Sequence, residues 1–580
     1  MSLVSQDIGK INSSISKIND TLHNVIDELD KKEDKPNYTK KYFNDNSKKN
    51  VTAYINSIAY LNDPAGHKGM FALYGNAFSD EEDFVGVGEV GPGDTNWSKD
   101  IIIGWASNSK IIPGIILAKM LEEGLIDILD PVSKYIPDCS GNANYITGMK
   151  VQPDSIDTKI VSSNPLTWVP TYGTFNLNTI TIGHLIQFGV GIPYSNYLHA
   201  STAYGYLYNN ASSSNRSTIM TKALSNDPDK ILAQGMMYQY TLFNKACREG
   251  TYNDVQIKNV QGLSYKWKDS VINALLAAKK NSTDVGFIPL SYRTGVYYNG
   301  LSPFNANGYM SSYAPALDLL TICLDVVAKN VNNPLYNSFH TYGRKKIIEP
   351  LGMTLSQFKG VEPKLNGKYI SMAFARDANI ASYDSSGNLT EASYYCDPKY
   401  IKDGKIGTVQ WCSLYPNDGM SNLNRLFYDQ YDPTDVCPGN TCLISSIGDL
   451  AKIYKMVIKK GVSDNGVRVL NELSIKWLLS PKVNPLVNLY GIYPIATDTD
   501  ATSMCAGIAK INTDICSSAT NYTSGSMYLW GGSQGTYGIF DIETGHYVLM
   551  GAAENSFGYI KNAYRTYDNA IRVLVNALKP

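Results

Sequence analysis

The sequence predicts a mixed α/β (α+β) fold in which both ends of one large domain contribute strands to a single antiparallel sheet, flanked by helices and interrupted by an inserted helical region. Alternating, strand-like runs occur at residues 51–61, 69–74 and 84–90. Similar runs recur near the C-terminus, at residues 528–530, 536–541 and 546–552. Helical spacing marks residues 107–124 and the closing segment 562–578. Strands at both ends with helices between them are typical of this architecture.

A heptad pattern occupies the N-terminus. Its apolar residues alternate spacings of three and four: Val4, Ile8, Ile11, Ile15, Ile18, Leu22, Val25 and Leu29. We therefore predict a coiled-coil oligomerisation segment over residues 1–32, and the β-branched residues at most seam positions favour a homotrimer through residues 4–29. A single amphipathic helix lying on the body of the protein is the alternative. The polar residues 33–50 predict a linker to the domain at 51–580.

The composition is that of a globular protein and argues against several kinds of partner. Of the 580 residues, 43% are hydrophobic and 18% are charged, with a formal net charge of −1. Because lysine and arginine are scattered rather than clustered, we expect no nucleic-acid partner. No run approaches the roughly 20 apolar residues of a membrane span, and the N-terminus lacks a charged start followed by an apolar stretch. We expect neither an anchor nor a signal peptide, and hence a cytoplasmic protein, or one packaged in a particle if its source is viral.

The nine cysteines and six histidines do not form the closely spaced pairs that a zinc site requires, so we expect no metal and no cofactor. Two cysteine pairs could close short loops in an oxidising compartment: Cys437 with Cys442, and Cys505 with Cys516. Without a secretion signal, free thiols are the expectation for both pairs.

Ser107 and Lys110 form the motif that carries the predicted chemistry. They stand at i and i+3 at the start of a predicted helix, so their side chains share one face. A serine hydroxyl is a weak nucleophile until a base takes its proton, and a lysine whose pKa is lowered by burial can be that base. Backbone N–H groups at a helix start can also stabilise an oxyanion. Ser-x-x-Lys alone is a weak pattern, since an N-terminal serine is more often only a cap.

Further segments along the chain give this motif a context. They are, in order, Ala106–Lys110, residues 121–137, residues 180–186 with 191–193, residues 349–353 (Glu-Pro-Leu-Gly-Met), residues 444–450 and residues 466–470. Together they resemble the serine β-lactamase and penicillin-binding-protein superfamily, specifically its class C and esterase-like branch. The resemblance covers roughly residues 51–580, interrupted by insertions at about 194–300 and 375–441 that we expect to rim the cleft and determine the substrate.

The resemblance implies two further parts of the site. Tyr313, which precedes a helix, matches the family's proton-relaying tyrosine, although Pro315 stands where lactamases and peptidases carry asparagine. The family's Lys-Thr-Gly strand corresponds to Trp530, Gly531, Gly532 and Ser533. Here tryptophan replaces the cation, and the N–H of Ser533 would be the second oxyanion donor beside that of Ser107.

The activity that the resemblance implies is that of a serine hydrolase forming a covalent acyl-enzyme on an ester or amide. A carboxylesterase, a D-amino-acid peptidase and a weak β-lactamase all fit. In the family, the asparagine that is missing here would hold a substrate's acyl-amide group, and the missing lysine would pair with the carboxylate of a β-lactam or a peptide. An esterase or amidase is therefore favoured. A protein of another class also fits: a catalytically silent scaffold or surface-binding component that keeps the hydrolase fold.

Three other patterns compete with this assignment. Residues 531–535 also satisfy Gly-x-Ser-x-Gly, the nucleophile elbow of α/β-hydrolases, which would make Ser533 the nucleophile. An elbow requires a helix after it, whereas strand-like residues follow here. Residues 463–465 spell Ser-Asp-Asn but lie far downstream of Tyr313, and they predict a turn. His184 is expected to be a structural histidine.

Overall fold

The computed structural model describes residues 41–62, 67–151, 168–186, 315–370, 372–374, 410–412, 433–439, 441–481, 502–511, 526–532, 536–553 and 567–580. The helices of these ranges are α1 (Ser47–Ala59), α2 (Ile111–Glu122), α3 (Ile182–Ile186), α4 (Pro315–Asn330), α5 (Phe339–Gly343), α6 (Ile447–Ile458), α7 (Glu472–Leu479) and α8 (Tyr567–Ala577). The strands are β1 (Gly69–Asn76), β2 (Glu81–Gly88), β3 (Ile102–Gly104), β4 (Asn142–Val151), β5 (Trp168–Asn176), β6 (Ser356–Phe358), β7 (Met372–Phe374), β8 (Gln410–Cys412), β9 (Leu443–Ser446), β10 (Thr502–Met504), β11 (Ala509–Ile511), β12 (Met527–Gly532), β13 (Thr536–Asp541) and β14 (His546–Ala552).

A seven-stranded antiparallel sheet, in the order β10-β11-β12-β13-β14-β1-β2, joins the two ends of the domain. Within it β1 lies between β14 and β2, with Leu73 opposite Leu549 on one side and opposite Phe84 on the other. The strands predicted near the C-terminus are present, as is β1, and β2 begins and ends slightly earlier than predicted. The predicted antiparallel sheet built from both ends of the chain is therefore confirmed.

Side chains of this sheet alternate between two hydrophobic clusters. Along β1, Phe71 and Leu73 belong to the larger cluster, which includes residues of α2, α4 and α6. Met70, Ala72 and Tyr74 belong to the other, which includes residues of α1 and α8. Successive residues of a strand point to opposite faces, so a strand covered on both faces needs apolar residues throughout. The sheet is thus the middle of three layers.

Residues 51–59 belong to helix α1, so the strand predicted over residues 51–61 is wrong. The buried residues Val51, Ile55 and Ala59 are four apart and pack with α8 against the sheet. The β-branched and aromatic residues of this segment favour a strand, but burial of every fourth residue is a helical period. The helix begins at Ser47 and Phe43 is buried, so the domain also extends into the predicted linker 33–50.

A smaller antiparallel sheet, β3-β9-β6, lies beside Ser107. Its central strand β9 places Ser445 opposite Ile103 of β3 and opposite Ser356 of β6. The hydroxyl oxygens of Ser356 and Ser445 are 2.6 Å apart and buried. Because β3 ends at Gly104, this sheet fixes the point from which the chain enters the Ser107 turn.

Several predictions concern other parts of the chain. The coiled coil at 1–32 and the first insertion at 194–300 lie outside the described residues, so the trimer stays a prediction. Of the second insertion, at 375–441, the structure describes residues 410–412, 433–439 and 441. Among the helices of the described ranges, none is long and apolar enough to cross a membrane.

Candidate active site

Ser107 lies on a short 3-10 helix, Ala106–Lys110, between strand β3 and helix α2. The sequence predicted one helix from Ser107, and the structure divides it into this tight turn and the α-helix that begins at Ile111. Ala106 has a φ of +48°, in the left-handed region that a residue with a Cβ seldom adopts. That conformation costs about 1–3 kcal/mol. Strain directly before the candidate nucleophile indicates that surrounding contacts hold the turn in place.

Buried hydrogen bonds fix this turn to both sheets. The Thr536 hydroxyl, in β13, donates to the Trp105 carbonyl at 2.9 Å. The Trp105 ring Nε1 donates to the Ser445 carbonyl, in β9, at 3.1 Å. Within the turn, Ser109 Oγ donates to the Ala106 carbonyl at 2.6 Å. The position of Ser107 is therefore set by elements from both halves of the chain.

The structure brings Lys110 and Ser107 into direct contact. Lys110 Nζ lies 2.8 Å from Ser107 Oγ, and the two residues are 1% and 7% exposed. Burial lowers the pKa of Lys110 from its ordinary 10.5 to about 7, while the neighbouring Asp318 and Cys442 oppose part of that shift. A substantial share of this lysine is therefore a neutral amine at neutral pH, and a neutral amine can accept the proton of Ser107.

Asp318 and Cys442 approach Lys110 from two other elements. Asp318 lies in the first turn of α4 and is fully buried. The Cys442 thiol, beside β9, donates to the Ser109 carbonyl at 3.6 Å. A buried carboxylate favours a positive charge near it, and Asp318 raises the pKa of Lys110 against the effect of burial. Asp318 thus limits how far the pKa of Lys110 falls.

A second buried lysine, Lys359, shares these neighbours. Its backbone N–H donates to the Cys442 carbonyl at 2.8 Å, and the residue is 8% exposed. Burial lowers the pKa of Lys359 to about 7, and the neighbouring Cys437, Cys442 and Asp318 oppose part of that shift. The sequence reasoning missed both Lys359 and Asp318. For Asp318 the only local signal is a charged residue in the apolar start of α4.

The predicted oxyanion strand, β12, ends against the Ser107 turn. Gly532 is its last residue and lies opposite Thr536 of β13. A Cβ on Gly532 would lie 2.4 Å from the Trp105 carbonyl oxygen and 2.4 Å from Thr536 Oγ1. Only glycine permits this approach, because any other side chain would push the strand away from the turn. Gly532 therefore brings the backbone of β12 against the Ser107 turn.

The remaining predicted site residues are in the core or outside the described part. Trp530 is 1% exposed and its side chain belongs to the larger hydrophobic cluster. Tyr313 and Ser533 lie outside the described residues, and their roles stay predictions. Pro315 is the first residue of α4, a helix position where the missing N–H of proline costs nothing.

The competing patterns have other structural explanations. Strand β13, not a helix, follows Gly535, so the elbow alternative at Ser533 lacks the element it needs. Residues 463–465 lie in the turn after α6, where Asp464 is paired with Lys459 at 3.0 Å. His184 Nδ1 accepts a hydrogen bond from the Thr181 N–H at 3.0 Å, at the start of α3, which is the structural role expected.

Cys437 and Cys442 are buried free thiols, as expected, and Cys437 Sγ donates to the Cys442 carbonyl at 3.3 Å. Cys516 lies outside the described residues, so pairing with Cys505 is untested. In the part of the chain that the structure describes, no cluster of three or more histidine, cysteine, aspartate or glutamate side chains could hold a metal ion.

Comparison with known proteins gives matches among solved structures only. No protein-family model and no curated protein sequence matches the chain. Unliganded simvastatin synthase LovD from Aspergillus terreus is 13% identical, with a TM-score of 0.49 over 91% of this chain and 98% of that chain. EstCE1, a hydrolase with promiscuous acyltransferase activity, is 13% identical, with a TM-score of 0.49 over 92% and 99%. An octameric penicillin-binding protein homologue from Pyrococcus abyssi is 15% identical, with a TM-score of 0.44 over 91% and 78%.

The penicillin-binding protein homologue among them carries the name of the superfamily that the motifs of this sequence resemble. The identities are 13–15% and the TM-scores are below 0.5, so these similarities carry no conclusion about the activity of this chain. The activities named for those proteins are their own.

Proposed function

We propose that this protein is a serine hydrolase that acts on an ester or an amide through a covalent acyl-enzyme on Ser107. The observation that supports the proposal most strongly is the 2.8 Å approach of Lys110 Nζ to Ser107 Oγ in a buried site. An exposed lysine is protonated at neutral pH and cannot act as a base. A lysine with a pKa of about 7 is in part the neutral amine and can.

In the acylation step, neutral Lys110 takes the Ser107 proton while Oγ bonds to the substrate carbonyl carbon, and the carbonyl π electrons move to oxygen. The Ser107 N–H stabilises this oxyanion, with the Ser533 N–H as the second donor. When the tetrahedral intermediate collapses, the bond to the leaving alcohol or amine breaks. The leaving group takes a proton from the Lys110 ammonium, directly or through Tyr313, and the acyl ester of Ser107 remains.

Deacylation uses the same base a second time. Neutral Lys110 removes a proton from water as the water oxygen bonds to the acyl carbon. Collapse of this second intermediate breaks the bond to Ser107 Oγ, which recovers a proton from the Lys110 ammonium. The products are the carboxylic acid and the free enzyme, and the cycle needs no group beyond the protein and water.

Two departures from the resembled family favour esters and simple amides over β-lactams. Pro315 begins α4 where the lactamases carry an amide side chain that would hold a substrate's acyl-amide group. Trp530 replaces the lysine that pairs with a substrate carboxylate, and its side chain is in the core. A β-lactam would therefore lose two polar contacts, whereas a short-chain ester needs neither.

Hydrolysis rates of p-nitrophenyl acetate, p-nitrophenyl butyrate and nitrocefin test this proposal. The esters should be cleaved faster than nitrocefin, and Ser107→Ala should abolish both activities. Ser109→Ala is the matched control, since it removes a neighbouring hydroxyl that bonds only within the turn; it should keep activity within about tenfold. Faster cleavage of nitrocefin would contradict the ester preference. Turnover that survives in Ser107→Ala would contradict the nucleophile, and no turnover at all would favour the silent scaffold.

A further inference from the structure

A buried tyrosine of α6 contacts the residue that follows the nucleophile. The Tyr454 hydroxyl donates to Asn108 Oδ1 at 2.9 Å, across 346 positions of sequence. Tyr454 is 0% exposed and Asn108 is 1% exposed. Burial raises the pKa of Tyr454 well above its ordinary value, so the hydroxyl stays a neutral donor at any working pH. The reaction proposed above gives this pair no role.

The same hydroxyl lies against the backbone of the large sheet. A Cβ on Gly538, in β13, would lie 1.8 Å from the Tyr454 Oη atom, so this approach requires glycine. Gly538 is paired with Trp530 of β12. Two residues after Trp530, β12 ends at Gly532, which lies against the Ser107 turn. One hydroxyl is therefore in contact with both the Ser107 turn and the sheet that carries the oxyanion strand.

The turn needs such a contact. Its left-handed residue Ala106 would relax to an ordinary conformation if nothing opposed it, and Ser107 would move with it. On the side of the large sheet, the Thr536 hydroxyl donates a hydrogen bond to the carbonyl of Trp105, the residue before the strained Ala106. The Tyr454 hydroxyl donates a hydrogen bond to Asn108, two residues after Ala106. A displacement of about 1 Å in a nucleophile can cost about 100-fold in rate, so both sides matter.

We infer that Tyr454 is a positioning residue for Ser107: through Asn108, its hydroxyl fixes the nucleophile turn against the Gly538 backbone of the oxyanion sheet. The inference rests on the proposed function. It assigns Tyr454 no contact with substrate and no proton transfer. Its effect is therefore on the rate at which Ser107 attacks, and not on substrate affinity or on the base.

Tyr454→Phe tests the inference because it removes only the hydroxyl. In hydrolysis of p-nitrophenyl butyrate, kcat should fall about 10-fold while KM changes less than about 2-fold, and labelling of Ser107 by a fluorophosphonate should slow by the same factor. The pH at which kcat/KM reaches half its maximum should not move, because the Tyr454 hydroxyl donates its proton to Asn108 and the pKa of Lys110 is set by burial, Asp318 and Cys442. Asn108→Ala removes the acceptor and should show the same loss, which keeps the test valid if one variant folds poorly.

The double variant and a control separate positioning from general stability. Tyr454→Phe with Asn108→Ala should lose no more labelling rate than either single change, because both remove the same contact. Tyr342→Phe removes another buried hydroxyl, bonded to Glu123 at 2.8 Å, and should leave the labelling rate unchanged. Thermal melting of all four proteins accompanies the rates.

Three outcomes would overturn the inference. One is a Tyr454→Phe protein that melts earlier but labels at the wild-type rate, which would make the tyrosine merely structural. Another is a double variant whose loss is the product of the single losses. The third is a wild-type chain that the fluorophosphonate never labels. That result would contradict the proposed function itself, and it is told apart from a failure of the Tyr454 inference because it is seen without any variant.

Discussion

Lys110 Nζ lies 2.8 Å from Ser107 Oγ, and the two residues are held together on one turn of 3-10 helix with almost no exposure to solvent. The two residues are close in sequence, but the residues that surround Lys110 and set its pKa are not. Asp318 and Cys442 come from distant parts of the chain, and both influence the charge of the lysine.

The pH dependence of activity should follow Lys110. Because only the neutral amine accepts the serine proton, kcat/KM should rise with pH through about 7 and level off above it. Asp318→Asn removes a charge that raises the pKa of Lys110, so the rise should move to lower pH. Asp325→Asn is the control, since this buried carboxylate of the same helix pairs with Lys329 instead. A shift to higher pH in Asp318→Asn would refute the assignment.

Lys110→Met should abolish activity and stabilise the fold. The pKa of Lys110 is about 7 in the folded protein against an ordinary 10.5, so the unfolded chain binds the proton more tightly. The resulting penalty on the folded state is complete below about pH 7 and disappears as the pH rises to about 10.5. Removing the amine should raise the free energy of unfolding by ~2 to 5 kcal/mol at pH 6, and by little at pH 10.

Urea unfolding at the two pH values measures this difference. Lys359→Met is the matched control, since Lys359 is also buried with a pKa of about 7 but has no described contact with Ser107. It should give a similar gain in stability while Ser107 still reacts with a fluorophosphonate. A Lys110→Met protein that is less stable than wild type at pH 6 would show that the lysine is not held in the buried state described.

Gly532→Ala should lower activity by displacing the end of strand β12 or the Ser107 turn. Its Cβ would lie 2.4 Å from the Trp105 carbonyl oxygen, so either the strand or the turn must move. We expect a loss of about 100-fold or more in kcat/KM, with a smaller effect on the melting temperature. Gly448→Ala, where the nearest atom would be 3.4 Å away, should be nearly neutral. An active Gly532→Ala protein would mean that the strand's position does not matter to the reaction.

Deletion of residues 1–40 should convert a trimer into a monomer. The heptad residues from Val4 to Leu29 supply the predicted trimer contacts, whereas the described domain begins with a buried Phe43 and helix α1. Light scattering on the full chain and the shortened chain measures the masses, and labelling of Ser107 should be equal in both. A full-length chain that is already monomeric would support the alternative of a single amphipathic helix.

Local patterns explain why much of the fold and the central pair could be predicted. The strands β1, β12, β13 and β14 have apolar residues and turn signals that identify strands without knowledge of their partners. Ser107 and Lys110 are three residues apart, so any helical turn brings them together. The prediction failed at α1, because its preference for a strand was overridden by packing against α8.

Long-range contacts explain what the sequence could not predict. Nothing near Tyr454 indicates that its hydroxyl meets Asn108, 346 positions away. Lys359 looks like any other lysine in a lysine-rich chain until the fold buries it beside Cys442. The local sequence gives no sign that Ala106 has a left-handed backbone, because the turn is held by distant residues such as Thr536 and Tyr454. Burial and backbone strain belong to the assembled fold and not to the local pattern.

The central claim, that Ser107 is an activated nucleophile, is tested most directly by covalent trapping. The purified chain is incubated with a fluorophosphonate at pH 8, the intact mass is measured, and the modified residue is located by peptide mapping. The account predicts one adduct, on Ser107, that is absent from Ser107→Ala and formed much more slowly by Lys110→Met. An adduct on another residue, or no adduct under conditions that label a known serine hydrolase, would contradict it.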